Sequence, residues 1–460
     1  MHLYASEDPR PIHFMGIAGA GMSALALIAL RRGVPVTGCD THPDEAAELA
    51  DLGAQISAGH DGGHVSGARA VVYTAAVSSD HPELKAARRD GVLVLGRAEA
   101  LRELLQGRKV IAVSGTHGKT TTTAMVTAAL VAAGKEPTAI VGGRVAAWGG
   151  NARLGGDELY VVEADEYDRA LLKLEPTVAL VGNVEADHLE CYEGSVDALE
   201  GAFADFAERA ERVIVGADDS GAKRVGAVIG APVWRAGLAD GADIRLSAVA
   251  REREANTAQL TLPDGERHRL ELRVPGLHNL RNAAMAVGAV LAAGADVKAA
   301  LAGLTEFEGV GRRFEVLGTV RGVTVVDDYA HHPSEVVATL AAARQRFPEA
   351  RLVAVFQPHL YSRTRLMGDA MGIGLAMADI ALVTDVYAAR EKPISGVSGK
   401  LVVKAARRAG AEVEWVPECG RLAARLQEVV ADGDVVLTLG AGDVTMVGRE
   451  LLQRLAGPAA

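Results

Sequence analysis

Residues 109–124 read Lys-Val-Ile-Ala-Val-Ser-Gly-Thr-His-Gly-Lys-Thr-Thr-Thr-Thr-Ala, and this stretch decides the fold of the chain around it. The apolar run over 109–113 predicts a buried strand, and the glycines that follow predict a tight turn. An alanine-rich run then predicts a helix that ends near Ala133, directly before Gly134. Because a strand, a glycine turn and a helix in this order are typical of parallel sheets with right-handed crossovers, we predict such a sheet here.

The same order of elements occurs on both sides of this stretch. Toward the amino terminus, residues 11–15 predict a strand, 16–21 a glycine turn, and the following residues a helix to about Arg32. Toward the carboxyl terminus, predicted strands alternate with helical runs such as 334–346 and 397–409; the strands lie near 323–327, 351–356, 379–384 and 434–439. A chain of 460 residues is long enough for about three domains.

The sequence therefore predicts an α/β fold of three domains. The first, over residues 1–107, and the third, over 312–460, are predicted to be Rossmann-like. The middle domain, over 108–311, is predicted to contain a mostly parallel sheet. Within it, residues 240–273 alternate apolar and polar side chains on both sides of Pro263-Asp-Gly, which predicts an antiparallel appendage with a hairpin turn.

The charge balance and the apolar runs exclude two classes of partner. Lys and Arg number 48 against 59 Asp and Glu, and a net charge of −11 argues against nucleic acid, although backbone amides can still bind a small anion. Apolar runs such as 24–30 and 283–290 are far shorter than the roughly 20 residues that span a bilayer, so we expect no membrane partner. No secretion signal opens the chain, which favours a cytoplasmic location, and we expect a monomer or weak homodimer.

Cysteine and glycine usage carries further information. The three cysteines, Cys39, Cys191 and Cys419, lie far apart without a C-x-x-C spacing. This pattern predicts reduced, mostly structural thiols and neither a disulfide framework nor a metal knuckle. The 52 glycines, against 4% aromatic residues, predict many tight turns and close approaches of the backbone.

The glycine turn after the predicted strand 109–113 has the features of a phosphate loop. It lacks the first glycine of a full Walker A motif, because Val113 stands there. Glycines nevertheless let backbone amides face a phosphate, Lys119 adds a positive charge, and Thr120 begins a helix and offers a hydroxyl to Mg²⁺. The alternative is an ordinary strand–helix turn, but Lys-Thr-Thr-Thr directly after two glycines favours an ATP site. The middle domain is therefore predicted to be a P-loop-type ATPase.

A magnesium nucleotide also needs carboxylates at a nearby strand end. The predicted strand 158–163 ends in Glu163, and the next one, 178–181, leads to His188. We expect these strands to be neighbours, with Glu163 and His188 beside the phosphate loop. A carboxylate suits Mg²⁺ well, whereas His is an unusual ligand for so hard a cation. The alternative for any single acid here is a helix N-cap.

The amino-terminal turn predicts a second phosphate site. Gly16, Gly19 and Gly21 form a G-x-x-G-x-G pattern, the mirror of the dinucleotide fingerprint. Asp40 ends the next predicted strand, where an acid that binds a ribose is expected. A pyrophosphate site is the interpretation we favour, although the spacing leaves the nucleotide open.

Two asparagines and two arginines near the end of the predicted middle domain are further candidate site residues. Asn279 and Asn282 place two amides on one face of a predicted helix, where amides also often act as caps. Arg312 and Arg313 lie at the predicted hinge into the third domain, where an arginine could reach a transferring phosphoryl group. The alternative is a solvated pair.

Two loops of the third domain are rich in His and Arg. One spans 327–333 after a predicted strand, and the other spans 357–365 after the next. We expect the two strands to be neighbours and the loops to form the wall of a polar site, although either loop alone would be ordinary surface. Gly440-Ala-Gly-Asp443 is a further backbone nest of low specificity.

Taken in order, these runs resemble the ATP-dependent Mur ligases of peptidoglycan synthesis. The resemblance covers essentially the whole chain, and seven short motifs in the expected order make it specific. The motifs span residues 12–22, 115–122, 163–166, 183–188, 311–314, 327–333 and 356–359. The resemblance implies an amino-terminal domain for a UDP-sugar, a central ATPase, and a carboxyl-terminal domain for an amino acid.

The resemblance also implies roles for individual residues of this chain. The residues implied to bind ATP are Gly115, Thr116, His117, Gly118, Lys119, Thr120, Thr121, His278, Asn279, Asn282, Arg313 and Asp328. The implied metal ligands are Thr120, Glu163 and His188, and the implied UDP-sugar pocket contains Gly16, Gly19, Gly21, Asp40 and His60. His331 and Arg363 are implied to face the incoming amino acid and the reacting carboxylate. The implied catalytic set is Lys119, Glu163, His188, Arg313, His331 and Arg363.

The implied reaction joins L-alanine to the lactyl carboxylate of UDP-N-acetylmuramate, with ATP and Mg²⁺. The carboxylate attacks the γ-phosphate, and the amine then attacks the acyl phosphate. Several relatives carry a lysine about 15 residues after the metal-binding His, whereas this chain has Phe203 near that point. The absence of this lysine favours the alanine-adding branch of the family. It leaves open which residues would bind a second metal ion.

Three other functions compete with this one. A sister ligase that adds a recycled peptide to the same UDP-sugar would share nearly every motif. A nicotinamide-dependent oxidoreductase built on the turn 16–21 would leave the phosphate loop, Glu163 and the hinge arginines unexplained. A regulatory ATP-binding protein would bind the nucleotide without turnover.

Overall fold

The computed structural model describes residues 3–74, 77–389 and 391–457. The chain divides into two compact units. The first comprises residues 1–247, 259–268 and 281–304, and the second comprises 248–258, 269–280 and 305–460. In the part of the chain that the structure describes, no helix has the length and apolar character needed to cross a membrane.

The amino-terminal part is a five-stranded parallel sheet of order β3-β2-β1-β4-β5 with helices between its strands. Its strands are β1 (Ile12–Met15), β2 (Val36–Asp40), β3 (Gln55–Ala58), β4 (Ala70–Tyr73) and β5 (Leu93–Gly96). Its helices are α1 (Ala20–Arg31), α2 (Ala47–Asp51), α3 (Pro82–Arg89) and α4 (Arg97–Leu105). The order reverses at β1, and the glycine turn follows that strand, as expected for a Rossmann-like sheet.

The middle of the chain forms a ten-stranded sheet of order β15-β14-β13-β12-β11-β10-β6-β9-β7-β8. Its strands are β6 (Lys109–Ser114), β7 (Thr138–Val145), β8 (Gly150–Arg153), β9 (Leu159–Glu163), β10 (Val178–Val181), β11 (Arg212–Gly216), β12 (Val233–Gly237), β13 (Ile244–Arg251), β14 (Asn256–Thr261) and β15 (Arg267–Leu272). Its helices are α5 (Lys119–Ala132), α6 (Val196–Ala207), α7 (Ser220–Val228), α8 (Leu277–Ala292) and α9 (Val297–Thr305). In the order of the sheet, each pair of neighbouring strands from β13 to β7 is parallel, whereas the edge pair of β7 and β8 is antiparallel.

One expectation about this sheet is wrong. Strands β9 and β10 are consecutive in the chain but are not neighbours, because β6 lies between them and pairs with both. The pairing sets Val113 of β6 opposite Glu163 of β9, and Ser114 opposite Val181 of β10. Crossover connections place successive strands on either side of a central strand. Both strand ends therefore flank the phosphate loop, from opposite sides.

The carboxyl-terminal part is a six-stranded sheet of order β16-β17-β21-β18-β19-β20, parallel except for the β16–β17 pair. Its strands are β16 (Glu315–Val320), β17 (Val323–Asp328), β18 (Leu352–Phe356), β19 (Ile380–Val383), β20 (Val413–Trp415) and β21 (Val435–Leu439). Its helices are α10 (Pro333–Arg346), α11 (Tyr361–Leu375), α12 (Lys400–Arg408), α13 (Leu422–Val429) and α14 (Thr445–Ala456). Here too the expected neighbours β17 and β18 are separated, since β21, the last strand of the chain, lies between them.

The hydrophobic core of the first unit is built where helices cover the parallel sheets. Phe203 and Phe206 of α6 are completely buried in it, together with Tyr192. Phe203, near which the resemblance places a lysine in several relatives, is thus a core residue in this chain. An ammonium group at that point would lose its hydration without an obvious gain.

We predict that Phe203→Ala lowers the free energy of unfolding by about 3–5 kcal/mol, because it removes a fully buried aromatic ring and leaves a cavity. Denaturant or thermal unfolding of the purified chain measures the loss. Val228→Ala is the matched control, since Val228 at the end of α7 is 74% exposed. Similar losses in the two variants would contradict the assignment of Phe203 to the core.

Candidate active site

The phosphate loop owes its shape to two glycines. Gly118, directly before α5, has φ of 77°, and Gly115 has φ of 139°, both in the region that other residues rarely adopt. A Cβ on Gly115 would also lie 3.2 Å from the backbone nitrogen and oxygen of Asn183. The loop thus leads from β6 into the amino terminus of α5, a position at which the backbone N–H groups of a helix favour an anion.

Lys119 is held inside this loop. Its Nζ donates to the carbonyl of Gly115 at 2.8 Å and to both carboxylate oxygens of Glu166, at 2.7 and 2.9 Å. Burial lowers the pKa of Lys119, but the carboxylates of Glu166, Asp165 and Glu163 outweigh this effect and raise it above its usual value. Lys119 is therefore a permanent positive charge at the loop.

Two of the three residues expected to bind the metal are in contact. The hydroxyl of Thr120 donates to Oε1 of Glu163 at 2.8 Å, and Oε2 of Glu163 accepts from the amide of Gly142. Glu163 reaches Thr120 because it ends β9 level with the last residues of β6. A hydroxyl and a carboxylate are the oxygen ligands that Mg²⁺ prefers, so the donor set fits that ion.

His188, the third expected ligand, follows β10 with φ of 52°. Its ring lies 5.2 Å from that of Tyr167, and its nitrogens lie 3.5 Å from Glu190 and 3.9 Å from Asp187. Within the described residues, Glu163 is not among these contacts of His188. The role of His188 as a metal ligand stays a prediction.

Asn183, for which the sequence analysis proposed no role, fixes the other side of the loop. Its side chain accepts from the amide of His117 at 2.7 Å and donates to the carbonyl of the same residue at 3.0 Å. The hydroxyl of Thr116 accepts from the amide of Glu185 at 2.9 Å. The position of Asn183 two residues after the end of β10 was the feature of the sequence that could have identified it.

The two amides of α8 have different surroundings. The side chain of Asn282 packs over the phosphate loop, since a Cβ on Gly118 would lie 3.1 Å from its Oδ1. Asn279 is buried in the first turn of α8, and its Nδ2 donates to the carbonyl of Pro275 at 2.7 Å. His278 lies beside Gly276 in the same turn.

The amino-terminal glycine turn is tied to the end of β2. The amide of Gly16 donates to the carbonyl of Cys39 at 2.8 Å, and the carboxylate of Asp40 accepts from the amides of Ala18 and His42, each at 3.0 Å. Strands β1 and β2 pair in parallel, which brings the glycine turn next to Asp40. Asp40 thus fixes the backbone of the turn, and its contact with a ribose stays a prediction.

Arg97, which the sequence analysis missed, covers this turn. A Cβ on Gly21 would lie 2.9 Å from the guanidinium, so the glycine makes room for the arginine. Arg97 begins α4, and its guanidinium is 3.8 Å from Asp165. A partly exposed cation beside a glycine turn suits a pyrophosphate. His60, the other expected pocket residue, has its Nδ1 3.1 Å from the Sγ of Cys39.

The two hinge arginines differ in their contacts. Arg312, with φ of 59°, donates to Asp327 at 3.2 Å and to the carbonyl of Gly440 at 2.6 Å. Arg313 has a longer contact of 3.5 Å with Glu335, and both guanidinium groups lie over the ring of Tyr329, at 4.9 and 5.2 Å. The side chain of Arg312 is therefore held at the end of the sheet. Arg313 is the better candidate for a residue that binds a phosphate.

Asp328, at the end of β17, is buried and accepts two backbone hydrogen bonds. They come from the amides of Phe314 at 2.7 Å and Ala330 at 2.8 Å. Burial raises the pKa of Asp328 to about 6, although Arg313 and the two amides oppose this rise. The carboxyl group therefore changes its charge in a range close to physiological pH.

The two His/Arg-rich loops meet although their strands are not neighbours. The rings of His331 and His359 lie 5.7 Å apart, and Nη1 of the buried Arg363 lies 3.3 Å from Nδ1 of His359. Tyr387, which follows β19 and was not predicted, stacks on His359 at 5.8 Å. Since all these strands end at one edge of the sheet, their loops can meet across β21. His331 and Arg363 thus belong to one polar cluster of the second unit.

Sequence comparisons place the chain in a known class. Three domain models match it in order: "Mur ligase family, catalytic domain" over residues 11–109, "Mur ligase middle domain" over 113–290, and "Mur ligase, glutamate ligase domain" over 312–442. These matches define three-domain α/β ligases that depend on ATP, as the fold and the phosphate loop predict. The chain belongs to the Mur ligase family.

Named relatives are similar over nearly the whole chain. The UDP-N-acetylmuramate–L-alanine ligase of Clavibacter michiganensis is 45% identical over 97% of this chain and 94% of its own. That of Laribacter hongkongensis is 44% identical over 95% and 96%. The crystal structure of the UDP-N-acetylmuramate-alanine ligase MurC from Thermotoga maritima is 30% identical with a TM-score of 0.83, covering 98% of this chain and all of the other. A murein peptide ligase from Psychrobacter arcticus is 26% identical with a TM-score of 0.74, at the same coverage.

We predict that Lys119→Ala abolishes ATP turnover and leaves a folded but less stable protein. Removing one partner of a buried ion pair typically costs about 3–5 kcal/mol, because the carboxylate of Glu166 loses its counter-charge. Adding Glu166→Gln recovers part of this stability, since a neutral amide replaces the charge, but recovers no turnover. Denaturant unfolding and ATP hydrolysis assays measure the two effects.

Lys109→Ala is the control for this pair of variants, because Lys109 is exposed at the start of β6. It should change neither stability nor turnover. Wild-type turnover in Lys119→Ala would overturn the assignment of the loop. Equal stability of the single and double variants would show that the pair is not buried.

We predict that Asp328 makes stability depend on pH. Its pKa is about 6 in the folded protein against 3.8 ordinarily, so folding favours the protonated form. The resulting contribution is fully present below about pH 4 and is lost as the pH rises through 6; at about 1.4 kcal/mol per pH unit it is on the order of 3 kcal/mol. The stability of the wild type relative to that of Asp328→Asn should therefore fall by about this amount between pH 4 and pH 7, because the neutral amide does not titrate. A difference that does not vary with pH would contradict the prediction.

Proposed function

We propose that the chain joins L-alanine to the lactyl carboxylate of UDP-N-acetylmuramate at the expense of ATP, with ADP and phosphate as products. The observation that carries this proposal is the contact of Thr120 with Glu163 beside Lys119, a nucleotide–metal site of the kind that phosphoryl transfer requires. The names of relatives that are 42–45% identical over nearly the whole chain support the substrate assignment.

ATP would bind with its phosphates on the amides of the loop between β6 and α5. The residues that we propose for this site in the first unit are Gly115, Thr116, His117, Gly118, Lys119, Thr120, Thr121 and Asn282. Lys119 would exchange its hydrogen bonds to Glu166 for bonds to a phosphate, because a phosphate is an equally good acceptor and carries more charge. Thr120 and Glu163 would hold Mg²⁺, which neutralises charge on the phosphates, and His188 would complete the metal ligands.

The UDP-sugar would bind at the amino-terminal glycine turn. Gly16, Gly19 and Gly21 would let the backbone approach the pyrophosphate, and Asp40 would contact the ribose. We add Arg97 to this proposed set, since its guanidinium already lies against Gly21. His60 would line the same pocket.

The remaining proposed residues, apart from those named above, lie in the second unit. We propose that Arg313 contacts the γ-phosphate, that Asp328 and Asn279 contact the nucleotide, and that His278 lies beside its base. His331 and Arg363, which share one polar cluster with His359, would orient the amino acid and the reacting carboxylate.

The chemistry follows from the poor reactivity of a carboxylate toward an amine. An oxygen of the lactyl carboxylate attacks the γ-phosphorus, the bond to the bridging oxygen breaks, and ADP leaves. The alanine nitrogen then attacks the carbonyl carbon of the acyl phosphate, phosphate leaves, and the nitrogen loses a proton. Because water would hydrolyse the acyl phosphate, the reaction needs a site that excludes it.

The sister ligase that adds a recycled peptide remains the main competitor. The solved murein peptide ligase has the same fold at a TM-score of 0.74, against 0.83 for the alanine ligase. The larger peptide needs more room near His331 and Arg363 than alanine does. The cytoplasmic location and the monomeric or weakly dimeric state stay predictions.

We predict that L-alanine accelerates phosphate release from ATP only when UDP-N-acetylmuramate and Mg²⁺ are both present. The tests compare L-alanine, D-alanine, an alanyl tripeptide and no amino acid, with the amide product identified by mass spectrometry. Chelation of Mg²⁺ should stop the reaction, and an excess of Mg²⁺ should restore it. If the tripeptide is the better substrate, the sister activity is correct; if no amine accelerates release, the chain is not a ligase of this substrate.

A further inference from the structure

A cluster of metal-binding side chain types lies in the amino-terminal part of the chain, apart from the proposed magnesium site. His13 comes from β1, Cys39 from β2, His64 from the short 3-10 helix Gly62–Val65, and Glu83 from α3. Cys39 and Glu83 are completely buried, and His13 is 1% exposed. One potential ligand atom of each of the four residues lies within 4.8 Å of those of all the others.

The contacts inside the cluster are short. Nδ1 of His64 lies 2.9 Å from Oε1 of Glu83, and Sγ of Cys39 lies 3.3 Å from Oε2. In a tetrahedral zinc site, bond lengths of about 2.3 Å to sulfur and 2.0–2.1 Å to nitrogen put neighbouring ligand atoms roughly 3.3–3.6 Å apart. The side chains therefore need to move little to surround an ion.

His13 provides the observation that points to a ligand. Its Nδ1 lies 2.9 Å from the hydroxyl of Thr37, whereas its Nε2 is buried and has no hydrogen-bond partner among the described residues. An unpartnered polar atom in the core is costly unless something binds to it. Imidazoles that bind a metal commonly donate the other ring N–H to a neighbouring acceptor, and Thr37 offers one here.

The types of ligand select the ion. One thiolate, two imidazoles and one carboxylate form a mixed sulfur, nitrogen and oxygen set, which suits Zn²⁺ and does not suit Mg²⁺. His60 contacts the Sγ of Cys39 at 3.1 Å, and the amide of Asp61 donates to Glu83 at 3.1 Å, so two of the four side chains are also held from outside.

We propose that this chain binds one Zn²⁺ through His13, Cys39, His64 and Glu83. The ion would join two strands, a 3-10 helix and an α-helix of the amino-terminal part. On binding, the thiol of Cys39 releases its proton and the sulfur bonds to the metal. Because the carbonyl of Cys39 also accepts from Gly16, the ion would fix the end of β2 on which the glycine turn rests.

The test uses the untagged full-length chain, freed of metal by a chelator and dialysed. Zn²⁺ is added in competition with a chromophoric chelator, and bound metal is counted by mass spectrometry. We expect about one tightly bound Zn²⁺ per chain and a raised unfolding temperature. Co²⁺ in its place should give the near-ultraviolet thiolate-to-metal absorption and the intense visible bands of a tetrahedral site.

Cys39→Ser and His64→Gln should weaken Zn²⁺ binding roughly tenfold or more, and Cys39→Ser should remove the thiolate absorption. Cys191→Ser and Cys419→Ser are the matched controls and should keep both properties. Absence of tight binding to the wild-type chain overturns the proposal. So does binding without thiolate absorption, or with wild-type strength in Cys39→Ser, and these wild-type measurements stand even if a variant fails to fold.

Discussion

The register of β6 with its two neighbours is the constraint on which the middle of this protein depends. Hydrogen bonding sets Val113 opposite Glu163 and Ser114 opposite Val181, so three strand ends lie level with one another. A shift by one residue would turn the side chain of Glu163 to the other face of the sheet. The contact between Thr120 and Glu163 therefore rests on the strand pairing as much as on the two side chains.

The sequence predicted the elements better than it predicted their neighbours. Turn residues and the spacing of apolar residues predicted the ends of helices α1 and α5 to within a residue or two, because these signals are local. The order of strands is not local. Both wrong expectations, for β9–β10 and for β17–β18, assumed that strands consecutive in the chain pair in the sheet, whereas a third strand lies between them in each case.

The residues of the candidate site also fall into those that local sequence patterns predict and those that only the fold brings together. Lys119, Thr120 and Glu163 follow from a loop and a strand end, and the structure brings them together. Arg97 and Tyr387 carry no motif, since each meets its partner only through the fold. The cluster around Cys39 is the clearest case: its members come from four segments, so no spacing rule in the sequence could have brought them together.

Lys119 shows how an acidic chain can bind an anionic nucleotide. The net charge of −11 is unfavourable for ATP at long range, but salt screens exposed charges beyond about 8–10 Å. Lys119 is mostly buried and is kept protonated by Glu166. Its positive charge is therefore little screened by salt and is concentrated at the phosphate loop. If a phosphate takes over as its partner, as we propose, the buried carboxylate of Glu166 would lose a counter-charge. The exchange of one ion pair for another would then limit the affinity for ATP, which permits binding without making the nucleotide hard to release.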